Sequence, residues 1–124
     1  MNLKKQAAFF CAGGCGYVGM ELAYRGRSHI SMFAAGGLCF LLLGKLDAAP
    51  VPGPAKPVLG AMTVTAVELA TGLLVNRDHR VWDYRDQPGH FLGQICPGFS
   101  LLWIPVSAAA MGLYRLMDRT CPEP

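Results

Sequence analysis

Charge is what this sequence has least of. Only 15% of its 124 residues are Asp, Glu, Lys or Arg, where a soluble domain carries about 25%. With 52% hydrophobic residues and a mean hydropathy of +0.32, the chain is too apolar to be disordered. Basic runs are missing too: the net charge is +3, and no cluster of Lys and Arg offers a footprint for nucleic acid. There is no phosphate-cradling glycine loop and no other nucleotide motif. An ATP-driven process would therefore need its ATPase on a separate chain. His29, His79 and His90 have no second ligand at helical spacing, so no metal site is expected. Five cysteines, an odd number at irregular spacing, build no disulfide framework. Cys11 and Cys15, a turn apart in an apolar run, read as small apolar residues. No pattern names a cofactor.

What the chain does have is long stretches free of charge. Residues 6–20, 28–44 and 87–114 carry none, and residues 57–76 carry one, Glu68. A helix rising about 1.5 Å per residue crosses a bilayer core in roughly 20 apolar residues. Four runs fit, at about 6–24, 30–46, 57–76 and 98–116. A soluble bundle would show a polar stripe along each helix. Ala7-Ala8-Phe9-Phe10-Cys11 and Leu38-Cys39-Phe40-Leu41-Leu42-Leu43 show none. The reading is an all-α, polytopic membrane protein: four transmembrane helices in a single domain over 1–124, multi-pass in the cell membrane with the lipid bilayer as its surroundings. Lys4-Lys5 before an apolar run could open a signal peptide, but no small-x-small cleavage site in a polar setting follows. Gly13, Gly14, Gly16, Gly19 and Glu21 suit a packed helix better.

Arg25-Gly26-Arg27-Ser28-His29 links the first two runs. The second link, Asp47 to Pro57, is rich in proline and favours extended chain. The third, about 77–97, carries Val81, Trp82, Tyr84, Phe91 and Leu92 and reads as a re-entrant or interfacial loop. Pro105 predicts a kink in the fourth helix. Six cations gather on one side and five on the other, nearly a tie for orientation; Lys4 and Lys5 favour both termini inside. Ala12, Cys15, Gly16, Gly19 and Ala23 form a small-residue face on the first helix, which predicts close packing and a homo-oligomer, most simply a dimer.

Candidate chemistry converges on one end. Glu68 lies well inside the third run, where a carboxylate costs at least a few kcal/mol unless it is paired, protonated or wetted. Thr65 could offer it a hydroxyl, and Arg25 or Arg27 a charge. Glu21 and Arg25 are spaced i,i+4 for an ion pair. The first and third helices run the same way, so Glu21, Arg25, Arg27, His29, Thr65, Glu68, Asn76 and the Arg77–Tyr84 stretch all lie toward one face. Glu68 is expected to meet the Tyr17–Glu21–Arg25 face or the loop arginines. Within Val81-Trp82-Asp83-Tyr84, the rings Trp82 and Tyr84 read as an interfacial anchor, with Asp83 reaching Arg25 or Arg27. A faint repeat, Glu21-Leu22-Ala23 and Glu68-Leu69-Ala70, fits a duplicated helical hairpin. The plain alternative for all of these is polar contacts that hold helices together.

Several elements resemble, in order, the bacterial membrane-protein family labelled ABC transporter type IV, which also takes in the animal transmembrane protein 229 group. They are Gly16-Tyr17, Glu21, Arg25-Gly26-Arg27-Ser28-His29, Gly36-Gly37, Thr65 with Glu68, Gly72, Asn76, Val81-Trp82-Asp83-Tyr84, Gly93-Gln94-Ile95-Cys96 and Trp103. His90 stands where the family pattern is expected to have Asn. The resemblance implies a small helical integral membrane protein, and it brings Gln94 into the candidate set. Two functions follow. One is a transport-related, permease-like subunit with a polar path around Glu68. The other is a small membrane enzyme or a lipid- or cofactor-binding scaffold, with a Glu/Arg/His/Asp site at one leaflet.

Overall fold

In the computed structural model, which describes residues 2–120, each of the four apolar runs is a helix with its own start and stop. Asn2 caps α1 (Leu3–Arg25), its Oδ1 accepting from Lys5 N at 2.8 Å. Gly26 ends that helix in the left-handed conformation, φ 74°, and returns its N–H to Leu22 O at 3.0 Å. His29 caps α2 (Ile30–Ala48) through Nδ1, which accepts from Ser31 N at 3.1 Å. The proline link passes through one 3-10 turn, Gly53–Ala55, into α3 (Lys56–Val75). Pro57 sits in the first turn of α3, where a missing N–H costs nothing. After an irregular segment with one antiparallel bridge, Phe91 to Ile95, α4 (Pro97–Thr120) runs unbroken through Pro105. The fifth cysteine, Cys121, lies outside the described residues.

The helices fall close to the expected bounds, but the number of membrane spans is corrected. Among the described residues, three segments are long and apolar enough to cross a membrane: Ile30–Ala48, Gly53–Val75 and Pro97–Thr120. α1 has the length and lacks the apolarity, because its four glycines, Tyr17 and Glu21 dilute Phe9, Phe10 and Val18. It is an all-α membrane protein whose first helix leans on the second.

That contact is the most extensive in the molecule. α1 and α2 run antiparallel with their backbones close. A Cβ on Gly13 would stand 2.7 Å from Gly36 O, and one on Gly36 would stand 2.8 Å from Gly13 O. The small-residue face expected to pack, Ala12, Cys15, Gly16, Gly19 and Ala23, is therefore not the one that meets α2. Gly13 and Gly14 meet α2, while Gly16 and Gly19 meet nothing within 4 Å. α2 also packs against α3 and α4, and α3 packs against α4. Between α1 and α4 the bridging is done by rings: Tyr17 with Trp103 at 5.7 Å and Phe9 with Tyr114 at 4.9 Å. The outward faces carry Leu38, Met62, Leu74, Leu101 and Leu116, exposed apolar side chains that suit lipid rather than water. At the Lys5 end, Asp118 pairs with Lys5 at 2.7 Å and Asp47 with Arg115 at 2.6 Å.

Candidate functional site

The opposite end is organised by Asn76, which closes α3 and is wholly buried. Its Oδ1 accepts from Val81 N at 2.8 Å and Trp82 N at 3.2 Å, and its Nδ2 donates to Trp82 O at 2.7 Å and Gln94 Oε1 at 2.9 Å. Gln94 Nε2 returns a bond to Asn76 O, and Trp82 Nε1 donates to Gln94 O, both at 2.9 Å. The segment after α3 is thus a plug tied to the helix end, with its backbone groups satisfied by two amides as burial requires. Gly72 makes room for it, since a Cβ there would stand 2.8 Å from Gln94 Cδ.

The plug sets Tyr84 over Glu68. The carboxyl lies about 10 Å inside the end of α3, by helix rise, and is 4% exposed. Trp103 of α4 donates Nε1 to Glu68 Oε1 at 2.9 Å, and the Tyr84 hydroxyl donates to Oε2 at 3.2 Å. Burial, with the Glu68 carboxylate beside it, raises the Tyr84 phenol well above its ordinary value of 10, so it stays a donor. Tyr84 stacks on Phe99, centroids 4.9 Å apart. Both donors to Glu68 line a pocket of about 130 Å³ with Tyr17, Glu21, Tyr24, Arg25 and Phe99. Below it, sharing Tyr17, Met20 and Trp103, is an apolar crevice of about 120 Å³ between α1 and α4, walled by Gly16, Cys39, Leu43, Val64, Val106 and Ala110 among others.

Several expected pairings are corrected. Glu68 meets Trp103 and Tyr84 rather than Arg25, Arg27 or Thr65, because α4 supplies the nearer donor. Thr65 faces the far side of α3 and bonds Ser100 Oγ at 2.9 Å. Glu21 and Arg25 pair as expected, Nε to Oε2 at 2.6 Å, and Arg25 Nη1 also donates to Val81 O at 3.0 Å, tying α1 to the plug. Asp83 reaches neither Arg25 nor Arg27. It holds Arg85 through Oδ1 at 2.9 Å and Oδ2 at 2.7 Å, and Arg85's hydrogen bonds lower its carboxyl to about 2. Arg27 and His29 stand apart from Glu68, against Asp78 and Arg80. Trp103, named above only as an element of the family resemblance, and Phe99 are not among the candidate site residues read from the sequence. The missed signal was an indole N–H inside an apolar run, which must find an acceptor, and Glu68 is the one buried carboxyl among the described residues.

A family model described as "Putative ABC-transporter type IV" matches residues 8–120. The chain belongs to that family. The match takes in all of α2, α3, α4 and the plug, and all but the first turn and a half of α1. No curated protein and no solved structure matches this type IV family member.

Proposed function

We propose that this type IV family member is a permease-like subunit of a transport system, with Glu68 as its intramembrane polar site. One observation carries the reading. A carboxyl inside a lipid-spanning helix is turned inward, held by two neutral donors and by no cation. Such groups in membrane proteins typically mark substrate or proton pathways. The pocket beside it holds the Glu21–Arg25 pair and three aromatic rings contacting at its rim, a place where a polar group could be handed toward the carboxyl. On the other side of Glu68 the core is apolar, built from Cys39, Leu43, Val64 and Met111. A polar route across the whole membrane therefore needs further surface. A second copy, most simply in a dimer, or a partner would supply it, and a separate ATPase subunit would drive it. The open face at Gly16 and Gly19 is where we place the second copy.

A second reading rests on the crevice between α1 and α4: a scaffold or enzyme that seats an apolar chain there, with its polar end near Glu21 and Arg25. Isolation from native membranes in mild detergent separates the two. Co-purification of an ATP-hydrolysing subunit supports the permease reading. Chemical turnover of a lipid by the isolated chain, with no ATPase present, overturns it.

A further inference from the structure

A polar cavity of about 310 Å³ lies apart from Glu68, between the α1–α2 link and the start of the plug. Arg27, Ser28 and His29 form one wall, and Val75, Asp78, Arg80 and Val81 form the other. Arg27 makes no ion pair or hydrogen bond among the described residues. Ser28 Oγ is buried without a hydrogen-bond partner, an unfavourable arrangement for a hydroxyl. His29 commits Nδ1 to Ser31, accepting from its backbone N at 3.1 Å, and so leaves Nε2 uncommitted. Arg80, whose side chain is largely exposed, pairs with Asp78, Nε to Oδ2 at 3.1 Å, which offsets only one of the two arginines. The first turn of α2, a 19-residue helix, starts at the same place and adds the positive end of its dipole.

An unmatched guanidinium and a helix N-terminus around one cavity, with an unsatisfied hydroxyl buried beside it, favour an acceptor-only group. A tetrahedral oxyanion takes donors from several directions at once, and a guanidinium meets two of its oxygens together. The location fits as well, because the cavity sits where α1 ends and α2 begins, at the boundary of the membrane-spanning helices. We propose that Arg27, Ser28, His29 and Arg80 form a binding site for an anionic phosphate at the membrane surface, carried by a phospholipid headgroup or free in solution.

The test uses the purified full-length chain in nanodiscs and in detergent. Native mass spectrometry would follow retention of phosphatidylglycerol against phosphatidylcholine, and calorimetric titration would follow inorganic phosphate. Arg27→Gln should weaken binding about tenfold, the loss of one charge-assisted contact. Ser28→Ala should weaken it less, while Arg77→Gln, an exposed cation outside the cavity, should leave it unchanged. All three variants should melt with the unmodified protein. Retention of phosphatidylglycerol that falls with Arg27→Gln, without phosphate binding, assigns a lipid headgroup. Phosphate binding that falls in the same way assigns the free anion. Equal losses for Arg27→Gln and Arg77→Gln mean diffuse surface charge and overturn the proposal, as does binding that neither Arg27→Gln nor Ser28→Ala alters.

Discussion

Trp103 on α4 donates its indole N–H to Glu68 Oε1 on α3 across 2.9 Å, joining two helices through the one carboxyl buried in their spans. The bond answers two needs together. Neither an indole N–H nor a carboxyl can be left unsatisfied away from water, and each is the other's partner.

Trp103→Phe keeps the ring and removes the donor. It should destabilise the protein by about 1 kcal/mol, near the upper range of measured membrane hydrogen bonds. Tyr84→Phe should cost less, since its bond is longer, 3.2 Å against 2.9 Å. Thermal unfolding in one detergent checks both. Made in a Glu68→Leu background, Trp103→Phe should cost almost nothing, because its partner is already gone.

Asn76→Ala should be the most damaging change at this end. It strands the Val81 and Trp82 backbone groups and one side of Gln94 together. Each buried group left unpaired costs about 1–3 kcal/mol. Limited proteolysis should show fast cleavage between residues 77 and 96 while the helices stay intact. Cleavage as slow as in the unmodified protein would mean that the plug does not depend on Asn76.

The helices were legible in the sequence because a bilayer demands uninterrupted apolar runs, and charge-free stretches mark them directly. α1 shows the limit of that rule: its glycines look dilute until α2 is seen to need Gly13 and Gly14 for close approach. Glu68 was legible because a lone carboxylate stands out in such a run. Its partners were not, because hydropathy gives no rotation of one helix against the next. Sequence spacing joins i to i+4, as in Glu21–Arg25, and is silent on Glu68–Trp103, 35 residues apart. From sequence the plug reads only as a re-entrant or interfacial loop rich in aromatic residues. Its organising amides, Asn76 and Gln94, lie 18 residues apart and meet only in the fold.

Gly13→Val and Gly16→Leu should part company. A side chain at Gly13 strikes Phe40 and the Gly36 carbonyl, and should lower the melting temperature through about 1–3 kcal/mol of overpacking. A Cβ at Gly16 meets nothing within 4 Å, so stability should fall less there, while the proposed dimer should run as a monomer in mild detergent. A dimer that survives Gly16→Leu would remove this face from the interface.

The Asp83–Arg85 pair gives a pH marker for the plug's surface. Asp83 in the folded chain titrates at about 2, below the ordinary 3.8, chiefly through hydrogen bonds from the Arg85 side chain. A depressed carboxyl supports the fold above its unfolded value, and that support fades as pH falls from about 4 toward 2. Arg85→Met should return the Asp83 titration to the ordinary range, read by carboxyl NMR. An unchanged titration would mean that Arg85 is not its cause.

The most direct test of Glu68 as the working carboxyl is Glu68→Gln, which preserves shape and most hydrogen bonding and removes the ionisable group. The measurement is ATP hydrolysis by the proposed complex with an ATPase subunit, isolated from native membranes, set beside the thermal melt of the same sample. The account predicts a melt close to that of the unmodified protein and a loss of hydrolysis of at least about tenfold, the scale of one lost charge interaction. Full hydrolysis with Glu68→Gln, alongside a Glu68→Leu variant that only melts earlier, would contradict it and leave the carboxyl a structural latch for Trp103 and Tyr84.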